Sequence, residues 1–169
     1  MLHQVIKYPD PILAQKAEPV TVFDKALETL CDEMFESMYA AEGIGLAAPQ
    51  IAISKRITVI DVSFKKRPED KLVLINPEII DREGKQTEEE GCLSLPDIRE
   101  KVQRNAWVKV RAQNSKGEWF EVEGEELLSR ALQHEIDHLD GILFIDRLSR
   151  LKRDLTLRRI KKLIRNGEW

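Results

Sequence analysis

Cysteine is nearly absent from this chain: two residues in 169, Cys31 and Cys92, which excludes a disulfide scaffold and leaves both thiols free under reducing conditions. Long apolar runs are missing too. No stretch approaches the roughly 20 residues a bilayer crossing requires, so a membrane partner is not expected. Residues 1–7 lack the apolar region of a secretory signal and the arginine-rich character of a transit peptide, which leaves the cytoplasm as the expected compartment. The 8 glycines and 7 prolines are too scattered for a low-complexity tract or a linker, and no internal repeat is visible. A single domain over residues 1–169 is expected, with the monomer as its default state and enough length to bury a core.

Histidine is scarce as well, three in all, yet two of them stand in Gln133-His134-Glu135-Ile136-Asp137-His138. Side chains four residues apart lie one above the other on a helix, so His134 and His138 can grip one metal ion. Glu135 follows the first histidine, and its carboxylate can reach past the ligands to water at the metal and act as general base. The helical context is present: Glu125, Glu126, Leu127 and Leu128 open a run with few breakers, and Gly141 closes it.

A catalytic metal site of this kind takes three protein ligands and keeps one position open. Cys92 is the best third ligand, because Glu89-Glu90-Gly91-Cys92-Leu93-Ser94-Leu95-Pro96 combines markers of irregular backbone, Gly91 and Pro96, with apolar residues that half-bury the thiol. Cys31 falls instead on the apolar stripe of an earlier helix, and His3 lies near an end expected to move.

In chain order, Tyr8-Pro9-Asp10-Pro11 reads as an extended or turn segment. Over residues 24–41, Leu27, Leu30, Cys31, Met34, Phe35 and Met38 recur at three and four, an amphipathic helix facing the core. Gly43-Ile44-Gly45-Leu46-Ala47-Ala48-Pro49-Gln50 is a run of small residues read as a loop, with glycines that let backbone approach a ligand. Residues 56–62 and 71–77 are strands by β-branched content, the second ending at Pro77. Residues 105–113 and 118–123 form a hairpin around Asn114-Ser115-Lys116-Gly117, and the metal helix follows. The fold class is α+β: an antiparallel-rich sheet around a central metal-binding helix, with an N-terminal amphipathic helix and a C-terminal basic helix. That last helix, residues 147–166, carries nine Lys and Arg against one Asp, a local balance of +8 in a chain whose total is −3. Leu148, Leu151 and Leu155 are expected to anchor it, leaving Arg158, Arg159, Lys161, Lys162 and Arg165 to meet a phosphate surface.

Taken together, Gly43–Gln50, Glu90-Gly91-Cys92-Leu93-Ser94 and His134-Glu135-Ile136-Asp137-His138 resemble, in order and separation, the three signature motifs of bacterial peptide deformylases, and the resemblance spans essentially the whole chain. It implies that Cys92, His134 and His138 bind the metal, that Glu135 is the acid and base, and that Gln50 with the backbone N–H of Leu93 stabilises the oxyanion. It implies removal of the formyl group from N-formylmethionyl nascent peptides, one divalent ion, Fe(II) in the cell with zinc, nickel or cobalt as substitutes, and docking on the ribosome through the basic helix. Gly43 and Gly45 would let the peptide lie along the backbone as an added strand, and Ile44 and Leu127 would line a methionine pocket. Two other readings share parts of the pattern. A metalloprotease shares the metal helix but takes histidine or carboxylate as third ligand. An RNA-binding protein with a structural metal accounts for the basic tail but requires a fourth protein ligand near Cys92 or His134.

Overall fold

The fold follows in a computed structural model that describes residues 1–169. Helix α1, Lys25–Ala40, begins where the Asp24 side chain accepts the Leu27 N–H at 3.0 Å, an N-cap that satisfies one orphan donor. Its stripe, Leu27, Cys31, Met34, Phe35 and Met38, is buried against strands β1, Gly45–Ala47, and β2, Ile57–Ile60. The run of small residues is therefore not a plain loop. Gly45–Ala47 pairs with β2 as an edge strand, and Ala48–Ile51 makes one 3-10 turn that carries Gln50.

Strand β3, Leu72–Glu83, continues past Pro77 instead of ending there. The register skips between Ile75 and Glu78, so the N–H that proline lacks falls where the ladder is already interrupted. Strands β4, Gln86–Cys92, and β5, Leu95–Arg104, form a separate hairpin where irregular backbone was predicted. Its irregularity is confined to the two-residue turn Leu93-Ser94 and a register shift between Gly91 and Cys92, which puts Cys92 at the hairpin tip. Strands β6, Trp107–Gln113, and β7, Trp119–Glu125, complete the sheet in the order β1-β2-β3-β6-β7, with every neighbour antiparallel.

Helix α2, Glu126–Leu139, runs from the end of β7 between the sheet and the hairpin, and every residue from Ser129 to Leu139 is buried. Its apolar face, Ala131, Leu132 and Ile136, packs on Ile60, Leu74, Val108 and Val110, while its polar face turns to β4 and β5. It ends in a Schellman motif: Gly141 N–H bonds to His138 O and Ile142 N–H to Asp137 O. Gly141 has φ 75°, and a Cβ there would lie 2.6 Å from the Ala14 carbonyl oxygen, so both conformation and space require glycine.

Helix α3, Arg150–Arg165, is capped by Ser149 and packs on the hairpin through Ile160, Leu157 and Leu163, in a cluster with Leu95, Ile98, Val102 and Phe144. The anchoring expected of Leu151 and Leu155 is corrected: they are 70% and 53% exposed. Only Leu148 of the three packs inward. Residues 156, 160 and 163 repeat at the same helical spacing about 100° around the axis, and that face meets the core.

Candidate metal and hydrolytic centre

The helix and the hairpin tip converge on one point. His134 and His138 present Nε2 atoms 3.2 Å apart, and Cys92 Sγ lies 3.4 Å from His138 Nε2. The three donor atoms all fall within 4.8 Å of one another. A tetrahedral ion with bonds of ~2.05 Å to nitrogen and ~2.3 Å to sulfur would separate nitrogen from nitrogen by about 3.3 Å and nitrogen from sulfur by about 3.6 Å. The observed spacings match that template within a few tenths of an ångström. Three donor atoms converging at this range need a proton or a metal ion between them, and their spacing fits a metal ion. Cys31 and His3 lie elsewhere. Burial, then the charges of Asp32 and Glu28, push the Cys31 thiol up to about 11. His3 is tied to α1, its N–H on Ser37 Oγ and its ring on Glu33.

Behind the histidines lies a buried ionic network. Glu90 Oε1 pairs with His134 Nδ1 at 2.8 Å and accepts from Arg104 Nη2, while Oε2 accepts from Arg104 Nε and from Arg130. Asp137 takes Arg104 on one side and Arg147 on the other, so the network ties β4, β5, α2 and the turn before α3 together. Burial opposes charge on Glu90, but the contacts with His134 and Arg104 outweigh it and draw its carboxyl down to about 2. A carboxylate on the far nitrogen of a metal-ligating histidine fixes the ring and makes Nε2 a better donor. Burial also opposes charge on His134, yet its contacts with Cys92 and then Glu90 hold its basicity well above the ordinary value. Burial, then the charge of His134, holds His138 well below.

This network carries residues that sequence reasoning passed over: Glu90, Arg104, Arg130, Asp137 and Arg147. One signal was available. Ligating histidines regularly need a carboxylate partner, and Glu90 stands two residues before the proposed thiolate.

Glu135 is buried against β1. A Cβ on Gly45 would lie 2.5 Å from its Oε2, so only glycine leaves the carboxylate its place. Its Oε1 meets no donor, and burial, opposed by the His134 charge and reinforced by that of Glu90, pushes it up to about 7. Gln50 is held on both ends: Oε1 accepts the Ala47 N–H at 2.9 Å, while Nε2 donates to Ser94 Oγ at 3.1 Å and points toward Cys92 Sγ at 3.7 Å. A cavity of about 730 Å³ opens over this group, and Gly43, Ile44, Gly45, Gln50, Cys92, Leu93, Leu127, His134 and Glu135 line it. Cys92, His134, Glu135 and Gln50 thus face one concave space, with His138 buried out of its lining, and Leu127 stands at its rim, 49% exposed. Such a space can hold a small amide beside a metal, a base and a neutral donor.

Residues 2–154 match the family described as polypeptide deformylase. The chain is 72% identical over 169 residues to the peptide deformylase of Acidobacterium capsulatum, covering 100% of this chain and 99% of that one. It is 54% identical over 147 residues to that of Heliobacterium modesticaldum, covering 87% and 94%. Among solved structures, the peptide deformylase of Legionella pneumophila superposes with a TM-score of 0.91 at 44% identity, over 99% of this chain and 98% of the other.

Proposed function

The chain belongs to the peptide deformylase family, hydrolases that remove the N-formyl group from the N-terminal formylmethionine of nascent polypeptides, and from that premise we propose how its residues share the work. The family uses a divalent metal, and the observation that carries the reading is the convergence of Cys92, His134 and His138, two of which, Cys92 and His134, line one cavity with Glu135. Cys92, His134 and His138 would hold the ion. When bound, it supplies Lewis acidity and lowers the pKa of water toward neutrality.

Glu135 takes the proton of the attacking water as oxygen adds to the formyl carbon, and passes it to the leaving amine as the carbon–nitrogen bond breaks, giving formate and a free N-terminus. A carboxyl raised to about 7 suits a group that must both accept and return a proton near neutral pH. Gln50 Nε2 and the Leu93 N–H donate to the formyl oxygen as charge builds there, donors worth ~3 to 4 kcal/mol each in comparable sites. Gln50 suits this role because Ala47 fixes which end of its amide donates. The peptide would add beside edge strand β1 along Gly43 and Gly45, with the methionine side chain between Ile44 and Leu127.

Fe(II) is the ion we assign in the cell, with zinc, nickel or cobalt as substitutes, since imidazole and thiolate suit all four. No helix is long and apolar enough to cross a membrane. We place the enzyme in the cytoplasm as a monomer over residues 1–169, recruited to ribosomes by α3. Arg158, Arg159, Lys161, Lys162 and Arg165 are exposed there beside Leu151 and Leu155. Formate release from a formyl-methionyl peptide by anaerobically purified protein, with metal analysis of the same sample, tests the catalytic reading; cleavage of casein without formate release would overturn it. Reversing the five basic residues to Glu should weaken ribosome binding at low salt and leave short-peptide hydrolysis unchanged. Equal binding would overturn the recruitment role.

A further inference from the structure

Residues 6–8 form a strap across the two turns that carry the donors to the formyl oxygen. The Ile6 N–H donates to the Gln50 carbonyl at 2.8 Å, and two residues on the Tyr8 N–H donates to the Ser94 carbonyl at 2.9 Å. Ser94 directly follows Leu93, so three residues of backbone are tied at once to both donor positions. Val5, just before the strap, lines the catalytic cavity.

The carbonyl of Tyr8 in turn accepts the indole N–H of Trp169 at 2.6 Å. Trp169 is half-buried, and its ring joins Ile6, Tyr8 and Leu163 around the cluster that holds Ile160 and Leu95 and borders Cys92. Trp169 lies beyond residue 154, where the family match ends. The strap itself lies within it. The residues that follow α3 therefore reach the N-terminal segment at the point where that segment grips the donor turns.

Oxyanion stabilisation depends on donors held within ~0.5 Å of their working positions. Gln50 and the Leu93 N–H come from two different segments, and no shared element of secondary structure fixes their separation. The direct link, Gln50 Nε2 to Ser94 Oγ, uses one of the hydrogens that the reaction also needs nearby. The strap fixes the same separation through main-chain bonds that the reaction does not touch.

We propose that Trp169 is a positioning residue that latches the strap at residues 6–8 and so holds Gln50 and the Leu93 N–H at their working separation. This rests on the assignment of those two groups as donors to the formyl oxygen.

The test is a double-mutant cycle on the full-length, metal-loaded enzyme, reading kcat, KM and metal content with a formyl-methionyl tripeptide. Trp169→Ala should lower kcat about tenfold, leave KM within about twofold and retain one metal per chain. On a Gln50→Ala background the same change should cost clearly less, because one of the two donors whose separation it sets is gone. An unchanged kcat for Trp169→Ala, or an equal loss on both backgrounds, overturns the latch. Wild-type kcat in Gln50→Ala alone overturns the donor assignment beneath it. If Trp169→Ala does not fold, Trp169→Phe keeps a ring in the cluster, removes the N–H to Tyr8, and carries the same cycle.

Discussion

Replacing Glu90 by Gln preserves shape and removes one charge from a carboxylate that is 5% exposed and bonded to Arg104, Arg130 and His134. Its carboxyl moves from 4.5 to about 2 on folding, a difference worth ~3 kcal/mol at neutral pH. Removing one partner from a buried ion pair costs ~3 to 5 kcal/mol, so the two routes agree in size. The sign follows from the direction of the shift. A carboxylate with a depressed folded value stabilises above its unfolded value, and that contribution fades as pH falls from about 4.5 toward 2. For a chain of this length, ~3 kcal/mol corresponds to a fall in Tm of about 6 to 12 °C. Urea and thermal unfolding of both proteins with chelator present at every pH isolates the network from metal release. Glu90→Gln should be markedly less stable at pH 7, should have lost about half of that deficit by pH 3, and should converge on wild type only near pH 2. With metal added back, its affinity should fall about 10- to 100-fold, because His134 loses its charged partner. A deficit of the same size at pH 7 and pH 3, or none at pH 7, would refute the reasoning.

Glu135→Gln should cut turnover about 10²- to 10⁴-fold with metal still bound one per chain; near-normal activity removes Glu135 as base. The same change should stabilise the metal-free chain above pH 5. A folded value near 7 means wild type bears an ionisation cost that grows as pH rises from 4.5 to 7, and equal stability at pH 8 counts against this. Cys92→Ser should lose metal or activity, while Cys31→Ser keeps both and stays sensitive to peroxide like wild type; identical behaviour of the two variants takes Cys92 out of the ligand set. Gly45→Ala should lower kcat about a hundredfold at unchanged metal content, because its Cβ would occupy the space of the Glu135 carboxylate. A kcat within about twofold of wild type would show that Glu135 moves aside without consequence.

What the sequence made legible were features whose period or chemistry is local. The stripe of α1, the hairpin around Asn114-Ser115-Lys116-Gly117 and the stop at Gly141 each depend on residues within one turn of each other, and the structure has all three. The β4–β5 hairpin was not legible. The buried positions of β5 are Leu95, Ile98, Val102 and Arg104, and the odd step of three from Leu95 to Ile98 falls at Asp97, whose φ of 61° interrupts the alternation that marks a strand. The hairpin's polar face is also hidden inside the protein. Glu90 and Arg104 read as solvent-facing charges until α2 supplies Arg130, Asp137 and His134 as partners.

The same distinction governs α3, where leucines 151 and 155 and residues 156, 160 and 163 are equally regular in sequence. Spacing defines a stripe, but it does not say which stripe finds a partner. The hairpin offers Leu95, Ile98 and Val102 to the face of Ile160, and once that face is taken, Leu151 and Leu155 are left in water beside Arg158 and Lys162. Two leucines one turn apart, 70% and 53% exposed, forgo roughly 1 to 2 kcal/mol each of further burial. That cost is recovered only if another surface covers them, and the flanking cations make a phosphate-rich, partly apolar surface the best match. Arginine or lysine at both positions should therefore leave folding and peptide hydrolysis intact but weaken ribosome binding, even though the helix becomes more basic. If binding strengthened with the added charge, electrostatics alone would recruit the enzyme, and the leucines would have no part in it.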